Sequence, residues 1–144
     1  NYHLRLGTPI MDVLNSVGIP EDTGKIISGG PMMGKAIANL DASVAKGMSS
    51  LLFMSEKESH RGEIHPCLRC GKCVQACPMG LEPYMLHVLT EKNRLEDCEK
   101  FGIMNCIECG CCAFSCPSNR PILDFVRVGK AKTGNMIRQR NANK

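Results

Sequence analysis

Eight cysteines in two runs carry the chemistry this sequence is equipped to do. Cys67-Leu-Arg-Cys70-Gly-Lys-Cys73-Val-Gln-Ala-Cys77-Pro78 and Cys106-Ile-Glu-Cys109-Gly-Cys-Cys112-Ala-Phe-Ser-Cys116-Pro117 both spell C-x2-C-x2-C-x3-C-P, an internal repeat. Thiolates are soft ligands, and an iron–sulfur cubane takes one at each of its four irons. Three cysteines at three-residue intervals on a tightly turning backbone reach three irons of one cluster, so the fourth ligand comes from elsewhere. Pro78 and Pro117 stop the local turn from continuing as helix and redirect the chain, which suits the preceding cysteine to reach across to a neighbouring cluster.

The same spacing in two-cluster bacterial ferredoxins sends the fourth cysteine of each run to the other cluster. The expected ligand sets are therefore crossed. Cys67, Cys70, Cys73 and Cys116 are assigned to one [4Fe-4S] cluster, and Cys106, Cys109, Cys112 and Cys77 to the second. Such an exchange fixes the clusters close together, as electron tunnelling between them requires. Structural zinc sites use paired C-x2-C elements without a third cysteine at the same interval in both runs. A disulfide framework would suit a small secreted scaffold, of which there is no sign. Cys111 lies between two ligands and is either a packed thiol or a substitute ligand; Cys98, in a helical stretch, reads as a packed thiol. Gly71 and Gly110 are expected to let the backbone approach the sulfurs closely, so that amide N–H groups point at them.

The elements that must position these cysteines follow from the flanking sequence. Residues 1–58 contain no cysteine and read as a small α+β unit. Strands are expected at His3–Leu6, Lys25–Ser28, Lys35–Ala38 and Leu51–Met54. Between the first two, Thr8 is the expected N-cap of a helix with Pro9 at its first position and Gly18 as its stop. Ser55–Pro66, charged and closed by proline, reads as a linker. Pro83–Phe101 is helical in pattern, with Gly102 as a stop, and a further helix is expected to begin near Pro121. The second unit, 59–133, should be mostly helical.

The remaining composition narrows the function. Net charge is +4, but the basic residues from Arg127 onward contribute +6 with no acid after Asp124, so the excess is C-terminal. Residues 134–144 read as a basic flexible tail, the common fate of such an end; the tail has no aromatic residue for stacking, which argues against nucleic acid. No stretch approaches the roughly 18 apolar residues of a membrane span. The chain opens at Asn1 without an initiator methionine, and is expected to be a fragment. Gly29-Gly30-Pro31-Met32-Met33-Gly34 lacks the spacing of a phosphate-binding loop and reads as a turn. His60 and His65 read as exposed linker histidines, and no nucleophile–base arrangement stands out.

Taken together, GTPIMDVL, SGGPMMGKA, KGMSSLL, PCLRCGKCVQACPMGLEP and CIECGCCAFSCPSNRPIL resemble the C-terminal half of RnfC, a family of peripheral proteins of the Rnf electron transport complex. The resemblance runs to about Lys132. The cobalamin-reducing subunit of propanediol-use microcompartments has a similar layout and is the alternative relative; an interaction module with structural clusters is the alternative role. The resemblance implies a β-grasp (SLBB-like) domain at 1–58, then an α-helical ferredoxin-like domain with two [4Fe-4S] clusters at 59–133. It also implies electron transfer within a ferredoxin:NAD+ oxidoreductase coupled to ion transport, with the eight motif cysteines as the family's cluster ligands. FMN and NADH are placed by it in the region N-terminal to this chain. The implied partners are the other Rnf subunits and a ferredoxin-type donor or acceptor. The implied location is peripheral, on the cytoplasmic face of the bacterial membrane.

Overall fold

The computed structural model describes residues 1–143, which divide into two compact units, Asn1–Arg61 and the remainder from Gly62. In the first unit, α1 (Ile10–Val17) buries Ile10, Val13 and Leu14, spaced for one helical face, and Ile27 of β1 completes the small core. The helix starts one residue later than the sequence suggests, with Pro9 at the cap position and no side-chain cap bond. Gly18 ends it at φ +81°, its N–H donating to the Leu14 carbonyl at 2.9 Å. Strands β1 (Thr23–Ser28), β2 (Lys35–Ala36) and β3 (Leu51–Ser55) form an antiparallel sheet in the order β2-β1-β3. Ile26 faces Phe53 and Ile27 faces Leu52 across the longer pairing.

Three expectations for this unit need correction. His3–Leu6 does not form a strand: Leu6 is 67% exposed and only the following residues pair, through Gly7 and Val44 and a Pro9–Ser43 bridge. Alternation alone cannot make a strand without a neighbour to satisfy its backbone. The expected strand over Lys35–Ala38 is only two residues long. The start of the expected linker is instead a helical turn, α2 (Glu56–Ser59), closed by a capping box in which Ser55 and Glu58 satisfy each other's N–H groups. The Gly29–Gly34 element is a turn, as expected; the Gly34 N–H donates to the Gly30 carbonyl at 2.8 Å.

The second unit is helical. It comprises α3 (Lys72–Gln75), α4 (Pro83–Glu91), α5 (Leu95–Lys100), a 3-10 turn (Ile103–Asn105), α6 (Cys111–Phe114) and α7 (Ile122–Ala142). The expected Pro83–Phe101 helix is broken at Asn93, which sits at φ +53°. Leu86, Leu89, Cys98, Ile103, Ile122 and Val126 form the core with Cys73 and Cys112. α7 lies close on α4: a Cβ at Gly129 would stand 2.1 Å from Thr90 Oγ1 and 2.8 Å from Ile103 Cδ1. α7 also revises the expected flexible tail, since residues 134–142 continue the helix. Arg140 meets the α5 carboxylate of Glu99 at 2.6 Å, a long-range partner that composition could not show. Lys144 lies outside the described residues.

Candidate metal centres

Each cysteine run folds the same way. Arg69 and Glu108, at matching positions, both take left-handed backbone, φ +52° and +57°, and Gly71 and Gly110 follow at φ +75° and +83°. The glycines lead into α3 and α6, the short turns that carry Cys73 and Cys112. A Cβ at Gly71 would meet no protein atom within 4 Å, so the positive φ, rather than crowding, is what asks for glycine there. Cys77 and Cys116 then close matching turns, each carbonyl accepting at 3.2 Å from the N–H three residues on, at Gly80 and Asn119.

The crossing between runs has a local cause. The chain before Cys67 is stitched to the chain after Cys116: the His65 N–H donates to the Ser118 carbonyl at 3.0 Å, Ser118 Oγ to the Pro66 carbonyl at 3.0 Å, and Asn119 Nδ2 to the Glu63 carbonyl at 3.1 Å. Cys67, Cys70, Cys73 and Cys116 accordingly line one cavity, of about 740 Å³, with Tyr84, Met85, Val88, Arg69 and Arg120 among its walls. Cys77, Cys106, Cys109 and Cys112 line a second cavity, walled by Met79, Leu81, Leu86, Leu123 and Val126. It is narrow, about 20 Å³, so its thiols must part to admit a cluster.

Donor chemistry fits iron–sulfur clusters at both places. Four thiols surround each cavity, and backbone N–H groups face the sulfurs. Glu108 N–H donates to Cys106 Sγ at 3.4 Å. Burial pushes the Cys73 thiol above its ordinary pKa, partly offset by N–H groups of Tyr84, Cys73 and Val74. Burial, then the neighbouring Cys106, pushes Cys112 up to about 12. Cys106 is also raised by burial, with the Glu108 N–H and Lys130 working against it. These thiols are protonated at neutral pH before ligation, so binding a metal centre releases protons. The N–H donors then remain to stabilise negative sulfur. Among the described residues, no three His, Cys, Asp or Glu side chains are grouped as a site for a bare metal ion.

The other sequence candidates fall outside these walls. Cys98 is fully buried in the core, its sulfur 3.7 Å from Thr90 Oγ1. Cys111 is half-buried, and its pKa is raised first by a hydrogen bond to Cys109 and then by burial, which places it beside the second set. His60 is exposed and pairs with Glu56 at 3.0 Å; the backbone of His65 is used in the stitch described above. Three features escaped the sequence reading. Glu108 is bound by Arg127 at 3.2 Å and by Lys130 at 3.4 Å, and Lys130 Nζ also donates to the Cys106 carbonyl at 2.6 Å, tying the second run to α7. Arg120 lies in the wall of the first cavity. His87, 2% exposed, meets Arg120 and stacks on Phe125. No spacing rule marks these residues, because their partners are distant in sequence.

Comparison with known proteins agrees with the cysteine chemistry. Residues 61–117 match the 4Fe-4S dicluster domain family. The chain is 42% identical over 134 residues to the RnfC protein of the proton-translocating ferredoxin:NAD(+) oxidoreductase complex of Clostridium ljungdahlii, covering 92% of this chain and 29% of that protein. It is 40% identical over 133 residues to its counterpart in the ion-translocating oxidoreductase complex of Rhodobacter capsulatus, covering 92% and 26%. For the counterpart in the Na(+)-translocating ferredoxin:NAD(+) oxidoreductase complex of Acetobacterium woodii, identity is 39% over 128 residues, covering 88% and 29%. The chain thus spans less than a third of the length of these relatives.

Proposed function

This chain belongs to the RnfC family of ion-translocating oxidoreductase complexes, and we propose that it relays single electrons through two [4Fe-4S] clusters within such a complex. Cys67, Cys70, Cys73 and Cys116 hold the first cluster; Cys106, Cys109, Cys112 and Cys77 hold the second. The observation that carries this reading is the lining of the two cavities. Each has four motif cysteines in its walls, three from one run and one from the other.

Bound clusters supply one-electron carriers; the protein supplies their thiolate ligands, N–H groups toward the sulfurs, and walls that set access and charge. Adjacent one-electron carriers suit the neighbourhood of a two-electron flavin or nicotinamide. The FMN and NADH sites belong, on this reading, to sequence outside these 144 residues, and the chain alone does not reduce nicotinamide. Its partners are the other proteins of the complex and a ferredoxin-type donor or acceptor. No helix among the described residues is long and apolar enough to cross a membrane, and we place the chain peripherally at the cytoplasmic face through those partners. Residues 1–58 are assigned as an SLBB-like β-grasp domain and 59–133 as the dicluster ferredoxin domain. The three-stranded antiparallel sheet with α1 supports the first assignment.

Anaerobic iron and sulfide quantification, with electron paramagnetic resonance (EPR) of the reduced protein, tests the reading. About eight irons per chain are expected from two four-iron clusters. Zinc in their place, or clusters that dithionite does not reduce, would overturn it.

A further inference from the structure

The two cavities differ in their walls. Besides its cysteines, the first is lined by two guanidinium groups, Arg69 and Arg120. The second has no charged residue in its lining. Its nearest carboxylate, Glu108, is bound by Arg127 and Lys130, so these charges are largely spent on one another. On the first side the anion closest to hand is Glu82, which accepts from Tyr84 Oη at 3.3 Å and is exposed.

Arg120 is not free to swing away from that wall. Its Nη2 donates to His87 Nε2 at 2.9 Å, and His87 is 2% exposed, stacked on Phe125 with ring centroids 4.2 Å apart. With Nε2 accepting, the imidazole is neutral and its proton sits on Nδ1. Nδ1 is buried and finds no hydrogen-bond partner among the described residues. An orphaned polar atom in a packed core is a standing cost, which stability alone does not explain. Burial and the Arg120 charge both lower the pKa of His87, so it stays an acceptor for Arg120 rather than a competing cation.

Resting on the two-cluster reading above, we propose that Arg120, latched by His87, is the residue that makes the first cluster the easier of the two to reduce. Charge near a cluster is one of the protein's levers on its potential. When one electron passes from the second site to the first, no bond forms or breaks and no proton need move; the second is oxidised and the first reduced by one unit of charge. A fixed guanidinium at the receiving wall favours that outcome. Arg120 is thus a positioning residue for charge, and His87 is the positioning residue for Arg120.

The test is an EPR-monitored redox titration of the anaerobically prepared chain, with total iron measured in every variant. Two resolved midpoints are expected. Arg120→Gln should lower the higher one by about tenfold in the reduction equilibrium, about 59 mV for one electron, leaving the lower one unmoved. Arg120→Lys should recover most of the shift. His87→Phe, which keeps an apolar ring against Phe125, should move the same midpoint in the same direction without removing any charge from the protein. Both midpoints unchanged in Arg120→Gln and His87→Phe, or a shift confined to the lower midpoint, would overturn the inference while leaving two working clusters. An unsubstituted chain without reducible clusters would instead overturn the functional reading and take this inference with it. If Arg120→Gln loses iron, the Arg120→Lys and His87→Phe titrations decide alone.

Discussion

Cys116 shares a cavity wall with Cys73, although the two belong to different cysteine runs. Cys77 is likewise found with Cys112 in the second cavity rather than with Cys73 in the first. Crossed and uncrossed ligation therefore make opposite predictions for a cumulative series. Replacing Cys67, Cys70 and Cys73 by Ala should leave about four irons per chain. Adding Cys77→Ala should take that to near zero if the sets are crossed. If Cys77 served the first cluster, the fourth substitution would change nothing, and iron analysis of the two variants separates the cases.

Cys98 provides the contrast. It is fully buried in the core against Thr90, away from both cavities. Cys98→Ala should retain about eight irons and lose about 1 kcal/mol of stability from a small packing defect. Thermal unfolding of the iron-loaded protein gives the second quantity, and a large loss of iron would mean that this thiol is a ligand.

Gly129 is where α7 comes nearest to α4. Its added Cβ would fall well inside contact distance of Thr90 and Ile103, both buried. Gly129→Ala should destabilise the helical unit by about 1–3 kcal/mol, an overpacking cost, despite alanine's better helix propensity. Gly134, one turn further on, has only Met104 at 3.6 Å, so Gly134→Ala should be neutral or stabilising by up to about 1 kcal/mol. Denaturant midpoints of the pair check the difference.

The depressed pKa of His87, caused first by burial and then by Arg120, gives a pH dependence of known sign. Below its ordinary value of 6.5 the unfolded chain takes up a proton that the folded chain resists. The stabilisation is complete above that pH and is lost as pH falls toward the lower folded value. Melting temperature should fall from pH 7.5 to 5.5 by more in the parent than in His87→Phe. Parallel melting curves for the two would remove His87 as the cause.

Sequence made the site more legible than the scaffold. The cysteine sets could be read because a cubane demands four thiolates and each run offers three that act together, whatever surrounds them. Helix α4 was visible for a local reason too, through Pro83 at its start. The features that escaped depend on distant partners. Residues 134–142 are helical with Arg140 on Glu99, and composition shows only their charge. His3–Leu6 shows the opposite failure, a local alternation with no neighbouring strand to use it. Ser55 and Glu58 did carry a local signal, the capping box, hidden because the segment around it is charged and looks like a connector.

Arg69 and Glu108 carry opposite charges on the same backbone conformation, at the same step of two matched runs. The shape that gathers the thiols is therefore indifferent to the side chain between the first two of them. Ligand geometry and local charge become separate variables, and the charge at either run can change sign while the fold of the other stays as it is. Evolution, or an engineer, has at these two residues a pair of independent dials on a duplicated part.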